Sequence, residues 1–279
     1  VTQRLPDSIK FDAEKVAVGK RLFVDVRLSR DDSIACLSCH DLTKGGMDGR
    51  VVSIGVGGGV GTINAPTVFN SGFNFVQFWD GRADSLEAQV DGPVNHPKEM
   101  ASTWPLVLTK LGQDLSYVAK FKELYPDGMT VNNIKNALAT FERSLLTPNS
   151  RFDKYLRGDQ SVLNAHEKNG YELFQSLGCA SCHQGVNLGG NMYEKMGLMG
   201  DYFTDRGNVT EADNGRFNVT HNPENMHEFR VPSLRNVELT APSFQDGSAL
   251  SLEQVISIMG RYQLARAVAV EEIEDIAAF

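Results

Sequence analysis

The sequence predicts a mainly α-helical chain built from two similar halves, 1–150 and 151–279, and three observations carry that expectation. Cys36-Leu-Ser-Cys39-His40 and Cys179-Ala-Ser-Cys182-His183 repeat one pattern and use all four cysteines of the chain. A related phrase precedes each copy, Gly19-Lys-Arg-Leu22-Phe23 before the first and Gly170-Tyr-Glu-Leu173-Phe174 before the second. Each half also closes on a stretch whose apolar residues recur at helical spacing.

Taken in chain order, Val16, Leu22 and Phe23 give the first leading helix its apolar side. The first copy then carries about eight more residues before its cysteines than the second does. Loops rich in Gly, Asn, Asp and Pro follow over 45–66 and 91–97. Val51–Ile54 is the best candidate for a short strand. Ile134, Ala137, Leu138, Phe141 and Leu145 form one apolar face and predict the first closing helix. Thr147–Asp153 reads as the link between the halves. In the second half Leu173, Phe174 and Leu177 mark the leading helix, and a long loop covers 199–232. Ile273, Ile276 and Ala277 begin the second closing helix. Its pattern stops abruptly at Phe279, so the natural chain is expected to continue.

Cys-x-x-Cys-His is the attachment signature of c-type haem. Two thiols three residues apart each add to one vinyl group, and the adjacent histidine becomes the proximal ligand of the iron. A structural zinc site needs four ligands gathered together, whereas half the chain separates these two pairs. A thioredoxin-type pair needs neither the duplication nor the histidine. Leading helix, haem motif and closing helix together make a cytochrome c domain, here twice. Long loops are expected in such a domain, because the porphyrin supplies much of its core. Two covalent haem c groups leave no thiol for a disulfide.

Composition narrows the function further. With 279 residues and 41% hydrophobic content, the chain can bury a substantial core. A net charge of −8 argues against a nucleic-acid surface and suits a basic redox partner. No run of 18 apolar residues occurs, so no membrane span is expected. No leader is visible at Val1-Thr2-Gln3. Covalent haem attachment takes place outside the cytoplasm, so a mature periplasmic chain with its leader removed is expected.

Further phrases separate the halves. After the first haem motif come Ile63–Asn70, Gln77-Phe-Trp-Asp-Gly-Arg82, Glu87–Pro93 and Pro97-Lys-Glu99-Met100. After the second come Phe229–Pro242, Gln245-Asp-Gly-Ser248, Met259 and Gln263-Leu264. In this order, over essentially the whole chain, they resemble the bacterial di-haem cytochrome c peroxidases. The resemblance implies reduction of hydrogen peroxide to water, with electrons from a small cytochrome c or copper protein entering at the C-terminal haem and feeding the N-terminal one. It implies a homodimer, with the haems facing a junction between the domains.

Residue by residue, the resemblance places His183 and Met259 on the C-terminal iron. A thioether opposite a histidine stabilises ferrous iron and raises the potential. By spacing alone, Met259 in Val255–Met259 reads more readily as core. The resemblance places His40 on the N-terminal iron, with Gln89 and Glu99 in the peroxide pocket. There a carboxylate moves a proton between the two oxygens, and an amide holds the peroxide in place. Glu99 by itself reads as a solvated surface carboxylate. Trp79 matches an aromatic residue between the haems, and a core tryptophan is its plainer reading. Asn64, Thr240 and Pro242 match a calcium site built from one side-chain oxygen and two carbonyls, a donor set that suits a hard cation.

Two positions depart from the family pattern. Val56 stands where many members carry a histidine that caps the oxidised peroxide-side iron, and valine cannot ligate. The surrounding Gly55–Gly61 segment is expected to be mobile, and the usual reductive switch to be weakened or absent. His96 is the nearest histidine after it, and it reads as lining its loop. Gln245 stands where the family often has histidine. His166, His221 and His227 read as solvent-facing or loop residues. Two other readings remain open: a di-haem electron carrier without catalysis, and a related enzyme that oxidises side chains of a partner protein. The latter branch carries tyrosine in place of the methionine ligand, for which Tyr262 is the candidate.

Overall fold

The computed structural model describes residues 2–279, and their contacts divide into two units, each rich in helix. One unit holds Ile9–Gly72 and Ala83–Leu146; the other holds the chain up to Ser8, Phe73–Arg82 and Thr147–Phe279. The chain passes between them at Ser8–Ile9, Gly72–Phe73, Arg82–Ala83 and Leu146–Thr147. Phe73–Arg82 belongs with the second unit although sequence order puts it in the first half. Backbone bonds explain that membership: Phe75 N–H donates to the Gly190 carbonyl at 2.8 Å, and Arg230 N–H to the Trp79 carbonyl at 2.8 Å.

The first unit contains α1 (Ala13–Phe23), α2 (Cys36–Cys39), α3 (Leu86–Gln89), α4 (Asp91–Asn95), α5 (Trp104–Gly112), α6 (Leu115–Leu124) and α7 (Val131–Ser144). Asp12 starts α1 by accepting from the Glu14 and Lys15 amides, and Thr130 caps α7 by accepting from Asn133. Such caps satisfy amide donors that a helix start leaves open. Val18, Leu22 and Phe23 of α1 are buried against Ile134, Ala137, Leu138 and Phe141 of α7. The Phe23 and Phe141 rings meet edge to face, 5.2 Å between centroids. Ile134, Ala137, Leu138 and Phe141 of the predicted apolar stripe are thus on the buried face of α7, whereas Leu145 follows the helix as its C-cap. Gly19 lets the two helices touch: a methyl there would overlap the Ala137 carbonyl and lie 2.7 Å from Phe141 Cβ.

The second unit contains α8 (Arg151–Leu156), α9 (Ala165–Ser176), β1 (Tyr193–Lys195), α10 (Tyr202–Arg206), α11 (Phe217–Thr220), β2 (Glu228–Arg230), α12 (Leu252–Gln263) and α13 (Val270–Ala278). Helix α9 packs on α13 as α1 packs on α7. The equivalent glycine does the same work: a methyl on Gly170 would overlap the Asp275 carbonyl and sit 2.9 Å from Phe279 Cβ. Phe152, Tyr171, Phe174 and Phe279 cluster around this crossing. Strands β1 and β2 pair antiparallel, with Tyr193 opposite Arg230. The strand expected at Val51–Ile54 does not form. Ile54 makes only a single bridge to Val60, because no neighbouring segment extends that pairing.

The expected link ends early, since Ser150 caps α8 and Asp153 lies within it. Asp153 is fully buried and pairs with Arg235 at 2.9 Å, while also accepting from the Leu5 amide at 3.0 Å. This one carboxylate ties the N-terminal segment, α8 and the Arg235 loop together within the unit. No described helix is long and apolar enough to cross a membrane.

Candidate haem-binding sites

In both units the Cys-x-x-Cys-His run winds through a single turn. The His40 N–H donates to the Cys36 carbonyl at 2.9 Å, and the His183 N–H to the Cys179 carbonyl at 3.0 Å. His40 Nδ1 then lies 3.2 Å from the Gly46 carbonyl, and His183 Nδ1 lies 3.1 Å from the Leu188 carbonyl. A carbonyl only accepts, so Nδ1 carries the proton and Nε2 is the bare ligating nitrogen. Burial holds both imidazoles below the usual histidine range and so keeps them neutral. Two thiols beside an imidazole with this tautomer fit a covalently attached haem in each unit.

In the second unit a cavity of about 320 Å³ is lined by Cys179, Cys182, His183, Met259, Trp79 and Arg230, among others. Its size is that of a typical ligand pocket. Met259, on α12, faces the same cavity as His183. Tyr262, almost one turn further along, instead donates its hydroxyl to Asp205 at 2.8 Å. Trp79 packs beside the buried cluster of Met196, Phe229 and Phe244. Gln245 is buried and lines the cavity too, and its amide donates to Asp213 at 2.9 Å. Asp213 is in turn gripped by Arg206 at 2.6 Å, so the position that often holds histidine here serves a polar network. His227, expected as a loop residue, is half-buried. It stacks on Phe203 with ring centroids 4.2 Å apart, and its Nδ1 lies 2.7 Å from the Asp213 carbonyl.

In the first unit Gln89 is the last residue of α3, which Ser85 caps through the Ala88 amide. Glu87 of the same helix makes a two-pronged pair with Arg143 of α7, at 2.8 and 2.6 Å. Glu99 is half-buried in the turn after α4, with its carboxylate 3.6 Å from His96 Nδ1. His96 is exposed and accepts from the Lys98 amide at 3.2 Å.

The glycine loop makes several backbone hydrogen bonds. Val56 is 5% exposed and donates its N–H to the Glu99 carbonyl at 2.8 Å. Gly55 N–H bonds the Gly59 carbonyl at 2.8 Å, and Gly61 N–H bonds Ser53 at 2.9 Å. A methyl on Gly59 would lie 2.9 Å from Lys98 Cα. The glycines therefore permit a close approach to the Lys98–Glu99 backbone.

Asn64 lies in the first unit, its amide nitrogen donating to the Arg50 carbonyl at 2.8 Å. Thr240 and Pro242 lie in the second, Thr240 following a short 3-10 turn and Pro242 following a cis peptide. Among the described residues no three His, Cys, Asp or Glu side chains gather as a metal cluster. A site made of one amide and two carbonyls would not form one. The residue that sequence reasoning passed over is Arg230. Its signal was a lone cation in the apolar phrase Phe229-Arg230-Val231-Pro232.

The model of the di-haem cytochrome c peroxidase family matches residues 13–161. The cytochrome c peroxidase Ccp of Escherichia coli is 49% identical over 99% of this chain, which spans 59% of that protein's length. The cytochrome c551 peroxidase of Nitrosomonas europaea is 45% identical over 96% of this chain and 79% of its own. Among solved structures, a MauG-like protein associated with microbial copper homeostasis superposes with a TM-score of 0.86 at 29% identity. That match covers all of this chain and 91% of the other. The chain therefore belongs to the di-haem cytochrome c peroxidase family of haem oxidoreductases.

Proposed function

We propose that the protein is a periplasmic peroxidase of two haem c domains, 1–150 and 151–279, with Phe73–Arg82 contributed to the second. Haem held in each unit would supply the redox chemistry by which H2O2, two electrons and two protons become two waters, with a small cytochrome c or copper protein as donor to the C-terminal unit and peroxide reduced in the N-terminal one. His40 and His183 would each hold a haem iron, and Met259 would supply a thioether ligand in the C-terminal cavity that it shares with His183. Glu99 takes the proton from one peroxide oxygen and delivers it to the other, as a general acid–base carboxylate does. The Gln89 amide orients the peroxide. Asn64, Thr240 and Pro242 hold one calcium ion, and the working form is a homodimer.

The observation that carries this reading is the asymmetry between the units. A thioether shares the cavity of His183, whereas the loop beside Glu99 offers the buried side chain of Val56 where the family often has a ligand. This difference supports reading one haem site as the electron store and the other as the substrate site. Tyr262 is committed to Asp205, which weighs against the branch that uses tyrosine on the second iron.

Donor-coupled peroxide turnover, measured on fully oxidised enzyme and again after one-electron reduction, tests the proposal. Fast turnover from both states is expected. Turnover only after reduction would mean that another residue gates the site. No turnover from either state would favour an electron carrier.

A further inference from the structure

Arg230 ends β2 and lines the cavity that holds Cys179, Cys182, His183 and Met259. It is 3% exposed. Its Nε–H donates to the Phe78 carbonyl at 3.2 Å, and its backbone N–H donates to the next carbonyl, that of Trp79, at 2.8 Å. A guanidinium carries five N–H donors, and among the described residues it forms no ion pair with a carboxylate. The contrast within the unit is direct. Arg235, equally buried, has Asp153, and Arg206 has both Asp213 and Asp246.

Glu194 is the carboxylate among the cavity-lining residues, yet it pairs across the sheet with Phe229 rather than Arg230. Neighbouring strand positions face opposite ways, and the Glu194 carboxylate accepts from the Lys195 amide at 2.7 Å. Burial lowers the Arg230 pKa to about 10, so the group is still a cation at neutral pH. A buried cation without a counter-ion is costly. The occupant of the cavity must bring the negative charge, and haem carries two propionate carboxylates.

We propose that Arg230 is the propionate anchor of the C-terminal haem, and that its bonds to Phe78 and Trp79 register that segment against the cofactor. The inference rests on the haem reading of this cavity. A guanidinium fork matches a carboxylate in two parallel hydrogen bonds. Positive charge held beside a haem favours its ferrous form, so Arg230 adds to the effect of the Met259 thioether.

The test uses the two-haem holoenzyme, with Arg230→Gln and Arg230→Lys variants read by spectroelectrochemical titration and resonance Raman. In Arg230→Gln the ferrous-to-ferric ratio of the C-terminal haem, at the wild-type midpoint, should fall at least tenfold, equivalent to about 59 mV for one electron. Arg230→Lys should recover most of that shift, while the propionate bending bands move in both variants. A wild-type potential and unmoved propionate bands in a fully haem-loaded Arg230→Gln protein would overturn the proposal. Should Arg230→Gln fail to fold, unmoved propionate bands in Arg230→Lys would overturn it. Failure of the haem reading is distinct, because the wild-type protein itself would then lack a second covalently bound haem.

Discussion

Glu99 owes its position to its backbone as much as to its side chain. Its carbonyl receives the Val56 N–H, and the glycines around Val56 allow the loop to lie against Lys98 and Glu99. The carboxylate is thus presented by a docked turn. Replacing Glu99 by Gln keeps the shape and removes the proton acceptor. Peroxide turnover should fall by about 10² to 10⁴, the usual contribution of a positioned acid–base group, while the spectra of both haems remain unchanged. Steady-state assays with an artificial reductant check this, and turnover within a factor of two of wild type would remove Glu99 from the proton path. Only the resemblance, and not the chemistry of a lone glutamate, points to this residue. A carboxylate in a Pro-Lys-Glu phrase has no local signature of catalysis.

At the level of elements, what depends on local order is legible and what depends on distant partners is not. The apolar stripes of α7 and α13 follow from spacing alone. The paired phrases around Gly19 and Gly170 also carry their structural meaning in the sequence, since each glycine sits where a leading helix crosses a closing one. Gly19→Ala and Gly170→Ala should each destabilise their unit by about 1–3 kcal/mol through overpacking, seen as a lower Tm in thermal melts. An unchanged Tm would mean that the helices can separate at no cost. By contrast, β1 and β2 and the membership of Phe73–Arg82 are set by pairing between remote segments, which spacing does not encode.

Asp153 belongs to that second kind, because its partners Leu5 and Arg235 stand far from it in sequence. Asp153→Ala strands the buried Arg235 cation and should cost about 3–5 kcal/mol, measured by denaturant unfolding at neutral pH. Burial pushes the Asp153 carboxyl up, but hydrogen bonds and charge from Arg235, with the Leu5 amide and Ser150, hold it below its ordinary 3.8. A carboxyl lowered by folding stabilises fully above that value and loses its contribution as pH falls through the folded value. The gap between wild type and Asp153→Ala should therefore narrow only below about pH 3.8. A gap that closes near neutrality would place the effect elsewhere.

For the whole molecule, the net charge of −8 would act on the proposed donor and leave the proposed peroxide step untouched. Hydrogen peroxide is uncharged, so the field of the protein cannot steer it. A basic cytochrome c, however, is drawn in over roughly a Debye length, which shrinks from about 30 Å at 0.01 M salt to about 8 Å at 0.15 M. With a basic donor, kcat/KM for the donor should fall about tenfold or more across that range, as steered associations do. The KM for peroxide should stay constant in the same experiment. Running the series with an acidic copper protein reverses the sign, because screening then relieves repulsion and the donor rate rises with salt. A donor rate independent of salt for both partners would mean that docking relies on an apolar contact, with the surrounding charge having no part in the encounter.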